Sequence, residues 1–466
     1  MPSGAVKKDL GLLLTRMDGR INITAQQFGI RRSNYRFVGT SEGSSDPTNL
    51  GYDALALVVP SLLFLEVSII GRLSIAELLL LSCLPVLYHD ARKNLYSRSV
   101  RTTLLLCILW LFGQIATDVL LGTPFDDYAR GWSKIAFTLA NLLGLIMLLG
   151  RSRRRMALFA AGLAIGGTLG YYFNPSIYSV AEPWKFGVGP PITWVVVLLS
   201  TWRYARGSRF QAAMLAAFGA VINLYFGHRS LGGVCFLTAL WLIKRPDQGS
   251  DRTSLLRHLV LLLTLLGVGF SFLKAYEYSA KEGLLGDRAQ QIVKWQSAGE
   301  LGVMAGGRGA LIASLQGIVE SPLIGHGSWI NGSELMSRAT GILRQIGYET
   351  NSGFVGGDSQ GALHSHVLGA WVEAGVLGAV FWIWVIVLGV RSLGRLYSRE
   401  EPMIPLIAFA GLMLLWDISF SPYAGDHRLI TPYYIALMIN GHRLLLGNRL
   451  GSTTFSIKPM LLLKWS

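Results

Sequence analysis

The fold class the sequence predicts is an all-α polytopic membrane protein, a bundle of about twelve transmembrane helices. Three observations predict it. Of the 466 residues 51% are hydrophobic and 15% charged. The apolar residues gather in runs of roughly 15 to 22, close to what a hydrocarbon layer about 30 Å thick requires of a helix. Short basic clusters separate those runs, as they do between membrane spans. Lipid solvates the outside of such a bundle, so one architecture can use most of a chain that would otherwise divide into several soluble domains.

In chain order, residues 1–52 are polar, basic and rich in Gly, Ser, Asn and Gln, with no short apolar core of a signal peptide. They predict a cytoplasmic arm without fixed structure. Spans follow at about 53–71, 73–88, 102–121, 133–150, 156–173, 190–201, 210–226, 230–243 and 258–274. These nine make one transmembrane region, 53–274. A second, 366–446, holds spans at about 366–390, 403–420 and 429–446, and a cytoplasmic tail occupies 447–466. The second, sixth and eighth runs are short for a bilayer and read as tilted, broken or extended by polar turns.

Between the two regions, residues 275–365 form the one large extramembrane segment besides the arm. It predicts a helix near 288–298 and a second near 308–319, where Leu311, Ile312, Leu315, Ile318 and Val319 recur at helical spacing. Pro322 and Gly325 then end that helix.

Charge sets the orientation. With the N-terminus inside, both termini and the segments HDARKNLYSRSVR, RSRRR, WRYARGSR, KRPDQGSDRTSLLR and RSLGRLYSR fall on the cytoplasmic side and hold most of the 42 Lys and Arg. The positive-inside rule therefore accounts for the formal net charge of +15 without a nucleic-acid partner, and the long loop faces outward. Cys83, Cys107 and Cys235 lie in apolar stretches at no metal-like spacing and read as core residues.

The stretch HSHVLGAWVEAGVLG, 364–378, sets two histidines before a strongly apolar helix. A near-neutral imidazole can take a proton from an attacking hydroxyl, so His364 and His366 are candidate bases. A cap formed by Ser365 or a histidine on the free N–H groups of the helix start accounts for the same residues. Glu373 shares a helical face with His366 and lies about 10 Å deeper, where a carboxylate needs a partner. His228, His326 and His427 also fall on the outer side. No set of them has the close ligand spacing of a metal motif, so no metal is predicted.

Arginines in short outer loops run against the positive-inside rule and need a reason. Arg130 has Asp126 and Asp127 close by, and Arg428 has Asp426; Arg229 and Arg308 have no acid within several residues. Guanidinium binds phosphate bidentately, which makes Arg229 and Arg308 the candidates for a diphosphate. No phosphate loop, dinucleotide fingerprint or nucleophile elbow occurs, so no cofactor is expected. Gly306, Gly307, Gly309 and the glycines of 353–361 suggest a pliable lid over a substrate.

Three pieces together resemble the bacterial O-antigen ligase and O-antigen polymerase family: the turn His228-Arg229-Ser230 before an apolar helix, the Arg308 helix running into SPLIGHG, and HSHVLGAWVEAGVLG. His228 stands where that family usually has serine. The resemblance covers roughly residues 200–390 and implies a GT-C-like glycosyltransferase that uses undecaprenyl diphosphate-linked glycans at the periplasmic face of the bacterial inner membrane, without metal. It implies Arg229 and Arg308 on the donor diphosphate and His364 as base, with His366 as the alternate; Arg130, His228, Glu373 and Arg428 are the supporting candidates from the residue reading. A second glycan or lipid A-core would be the acceptor, and flippase and chain-length regulator proteins would be partners. Polymerisation of repeat units is favoured over ligation by the unusual N-terminal arm. A flippase or other transporter is the contrasting expectation, which the outer-face position of the unusual residues disfavours.

Overall fold

A computed structural model describes residues 47–68, 71–244, 274–284, 309–330, 363–397 and 401–452, with isolated positions at 267, 271, 286, 287, 290, 293 and 341. The chain is mostly helical. Local chemistry sets many helix starts. Helix α1 spans Pro47–Ser61. A two-stranded antiparallel hairpin follows, β1 (Glu66–Ser68) against β2 (Arg72–Ser74), with Val67 opposite Leu73. Ser74 then begins α2 (Ile75–Ala91) with a capping box, its side chain accepting from the helix while Glu77 accepts from the Ser74 N–H. Ser97 caps α3 (Arg98–Leu121), which Gly122 ends in the left-handed region at φ 64°.

Helix α4 covers Phe125–Leu149, and α5, capped by Ser152, covers Arg153–Phe173. A short α6 (Ile177–Ala181) and a π turn at Trp184–Val188 lead into α7 (Gly189–Ala205). Helices α8 (Arg209–Tyr225), α9 (Arg229–Lys244) and α10 (Gly309–Glu320) follow. The last three are α11 (His366–Tyr397), α12 (Ile404–Phe420) and α13 (His427–Ser452).

Among the described residues four helices, α3, α4, α5 and α11, are long and apolar enough to cross a membrane; α9 and α12 are apolar but shorter. This corrects the expectation of twelve full spans. Helices occupy the expected positions, but the apolar runs include turn residues, and 17 residues of α7, α8 or α12 reach only about 25 Å. The first expected span, 53–71, ends at Ser61 because residues 62–64 turn and the hairpin begins at Glu66. The arm, most of the ninth span, the helix near 288–298 and the glycine-rich lid lie outside the described residues.

The outward faces are apolar. On α8, Phe210, Met214, Phe218, Val221 and Tyr225 form one exposed stripe at helical spacing, and Leu105, Ile108, Phe112 and Val119 expose apolar surface on α3. At one end of the bundle acids meet the basic clusters: Asp53 pairs with Arg154 (3.1 Å) and Arg155 (3.2 Å), and Glu401 with Arg153 (2.6 Å). The free thiols of Cys107 and Cys235 are buried in the core.

Candidate functional site

Helix α11 is interrupted. Ala374 (φ −119°, ψ 16°) and Gly375 (φ 60°, ψ −153°) leave the helical region and divide it into two limbs. On an unbroken helix His366 and Trp382, sixteen positions apart, would be about 24 Å apart. Their rings are 4.9 Å apart. The first limb therefore doubles back along the second. His366 sits beside the body of the second limb, and Glu373 lies at its head. The expected depth order, with Glu373 below His366, is thus corrected. Gly375 and Gly378 serve this fold-back: a Cβ at Gly378 would meet the Ala370 carbonyl at 2.2 Å, and one at Gly375 the Leu323 carbonyl at 2.0 Å.

The segment after α10 fills the break. His326 N–H donates to the Val372 carbonyl (2.8 Å), Gly327 N–H to that of Glu373 (3.1 Å), and Val376 N–H to that of Leu323 (3.3 Å). These bonds satisfy backbone groups that an interrupted helix would leave bare in an apolar setting. Buried Asp118 holds the same segment, accepting from Ser328 N–H (2.6 Å), Ser328 Oγ (2.5 Å) and Trp132 Nε1 (2.7 Å). Thr117 Oγ1 donates to the Ile324 carbonyl (2.6 Å). A Cβ on Gly131 would stand 1.9 Å from Ser328 Oγ, so this close approach requires glycine. Lys134 Nζ meets Glu373 Oε2 at 2.5 Å, with both side chains nearly buried. Glu373 therefore has its partner, and Lys134, a charge inside an apolar run, was the signal for it.

The histidine pair divides. His366 is wholly buried, its ring enclosed by Trp382 (4.9 Å), Tyr423 (4.8 Å) and His427 (5.1 Å). His364 is exposed. Ser365, between them, does the capping: its Oγ accepts from Leu368 N–H (3.2 Å) and donates to the Ile418 carbonyl of α12 (2.9 Å). Neither imidazole is needed as a cap.

Around the His228-Arg229 turn the structure adds a residue that sequence reasoning missed, Lys185. Asn223 ties the π turn to the His228 turn: Trp184 Nε1 donates to its Oδ1 (3.0 Å), and its carbonyl accepts from His228 N–H (2.7 Å). Lys185 pairs with Glu182 (3.4 Å). Burial, and then the Lys185 ammonium, push the His228 imidazole down to about 4. The same two causes in the same order lower His364. Asn223 thus seats the turn that carries Lys185 beside the His228-Arg229 turn, and the Lys185 charge also bears on His364. Arg229 lies over the Tyr276 ring of the long loop (4.8 Å), which brings that loop to the same place.

The supporting arginines are held by neighbours. Arg130 pairs with Asp127 (3.9 Å) and lies over Trp329 (5.6 Å). Arg428 pairs with Glu77 (2.7 Å) and donates to the Arg72 carbonyl (2.7 Å), where sequence proximity suggested Asp426. His326 Nε2 bonds the Gly317 carbonyl (2.8 Å) and so tethers the end of α10. Arg308 lies outside the described residues, although its helix is present from Gly309. Among the described residues no group of three or more His, Cys, Asp or Glu could hold a metal ion. The chain matches no model of a known protein family, and no curated protein matches it.

Proposed function

We propose that the chain is a membrane glycosyltransferase of the GT-C-like type that moves glycans from an undecaprenyl diphosphate carrier to an acceptor sugar hydroxyl at the periplasmic face of a bacterial inner membrane. The observation that carries the reading is the Asn223 tie that seats the Lys185 turn beside the His228-Arg229 turn, two separated parts of the chain. A cluster of cations with imidazoles beside it suits a diphosphate leaving group and an acceptor that must lose a proton. In this reading Arg229 and Arg308 neutralise the diphosphate as the anomeric C–O bond breaks. A histidine of the same face takes the acceptor proton, the role the family resemblance assigns to His364. The lipid diphosphate already supplies the leaving group, so the scheme needs neither nucleotide nor metal.

Purified protein incubated with a lipid diphosphate-linked repeat unit is expected to elongate it, and no transfer to either a glycan or a lipid A-core acceptor refutes the reading. Polymerisation is the favoured form: deletion of the gene then leaves single repeats, whereas a ligase leaves long glycans on the carrier. The interrupted α11 with its buried Lys134–Glu373 pair favours a second reading, since transporters place broken helices and buried charges at their sites. Here the backbone at the break is already bonded to residues 323–327, and a transporter would show no transfer in detergent.

A further inference from the structure

A second histidine–carboxylate arrangement lies beside the His364–His366 segment. Asp417, near the end of α12, is almost fully buried and accepts from Ser421 Oγ (2.7 Å). Its other oxygen, Oδ2, lies 3.9 Å from Nδ1 of His427, the first residue of α13, whose side chain keeps 28% of its surface exposed. The His427 ring packs edge-on against His366 at 5.1 Å. Asp417 from α12, His366 from α11 and the adjoining Asp426 are the titratable groups around it. A buried carboxylate behind one nitrogen fixes the tautomer of an imidazole, stabilises its protonated form and leaves the other nitrogen for a substrate. At 3.9 Å the two are close enough to pair once the imidazole is protonated but too far for a hydrogen bond, and Nδ1 has no hydrogen-bond partner; in ligand-free sites catalytic contacts are often long and tighten around the substrate.

The two sides of the segment differ in charge. His364 keeps company with Lys185, and its imidazole is lowered by burial and by that ammonium. Cationic company weakens a base and suits an anion. We infer that His427, with the Asp417 carboxylate beside its Nδ1, is the general base of the glycosyl transfer. The inference rests on the proposed glycosyl transfer. In the step, Nε2 of His427 takes the proton of the acceptor hydroxyl as the oxygen bonds to the anomeric carbon. The bond from that carbon to the phosphate oxygen breaks, its electron pair leaves on the lipid diphosphate, and Asp417 faces the imidazolium that results.

The test measures transfer by the full-length protein in detergent, with a lipid diphosphate-linked repeat unit as donor, across pH 5 to 9. His427→Gln is expected to lower kcat by about 10²- to 10⁴-fold with little change in the donor KM. Asp417→Asn should lower kcat and displace the acid limb of the pH profile, and Asp417→Glu should recover part of the loss. His364→Gln is expected to act mainly on the donor KM. Melting curves identify any variant that has merely unfolded, and Asp417→Glu gives a second reading where His427→Gln does so. Wild-type kcat in His427→Gln, or an unmoved acid limb in Asp417→Asn, overturns the assignment while leaving glycosyl transfer intact. A wild-type protein that transfers no glycan overturns both.

Discussion

Gly375→Ala tests the break in α11 most directly. At φ 60° and ψ −153° the residue occupies a region that glycine alone adopts at ease, and alanine there costs about 1–3 kcal/mol. The added Cβ would stand 2.0 Å from the Leu323 carbonyl oxygen and 2.7 Å from the Ile324 carbonyl carbon, which are backbone atoms that cannot rotate aside. Residues 323–327 must then move, endangering three backbone hydrogen bonds to the break, each worth about 1 kcal/mol. Together the loss is about 4–6 kcal/mol, a large part of the roughly 5–15 kcal/mol that holds a typical protein folded. The assay is apparent melting of the detergent-solubilised protein, with Gly233→Ala as control because nothing lies within 4 Å of a Cβ there. Gly375→Ala should melt at least about 5 °C below that control. Equal melting of the two refutes the account of the break.

The Lys134–Glu373 pair gives a double-mutant test. Lys134→Met alone strands a buried carboxylate and should cost about 3–5 kcal/mol, whereas Lys134→Met with Glu373→Leu should recover most of that loss; additive losses would show that the two do not interact. His228 makes stability depend on pH. Its imidazole sits near 4 in the folded chain against about 6.5 when unfolded, so its contribution is complete above pH 6.5 and is lost as pH falls toward 4. Melting temperatures between pH 4.5 and 7 should therefore fall less steeply in His228→Gln than in wild type, and parallel curves count against the assignment. Arg308→Lys should lose most transfer activity because an ammonium cannot reproduce the planar fork, and wild-type polymer in cells carrying only that variant ends the role.

Helix positions were legible because apolar runs and turn chemistry are local. Ser74, Ser97, Ser152 and Gly122 mark the ends they were chemically fitted to mark. Helix length was less legible. Residues 53–71 are apolar nearly throughout, yet they end in a turn and a hairpin, and hydropathy alone does not distinguish a turning apolar segment from a helical one. The interruption of α11 was hidden for a related reason. Glycine is common in membrane helices, and its sign at Gly375 becomes readable only with the partner segment, Leu323 to Gly327, that fills the break.

Pairings across the fold were the least legible part of the site. Proximity in sequence suggested Asp426 for Arg428, but the turn from Asp426 into α13 carries the guanidinium toward α2, where Glu77 is fixed by its own capping box and by Asn141. The same turn brings His427 against Asp417 although ten positions separate them, too many for one helical face and too few for a visible motif. His364 drew attention because it belongs to a recognisable string of residues. The string shows where chemistry is concentrated, but a base is defined by the charge that stands behind it. Among the described residues of this face the Lys185 charge helps to lower His364, whereas His427 has the Asp417 carboxylate 3.9 Å from its Nδ1. That difference in company, which no linear motif encodes, decides which histidine is equipped to hold a proton.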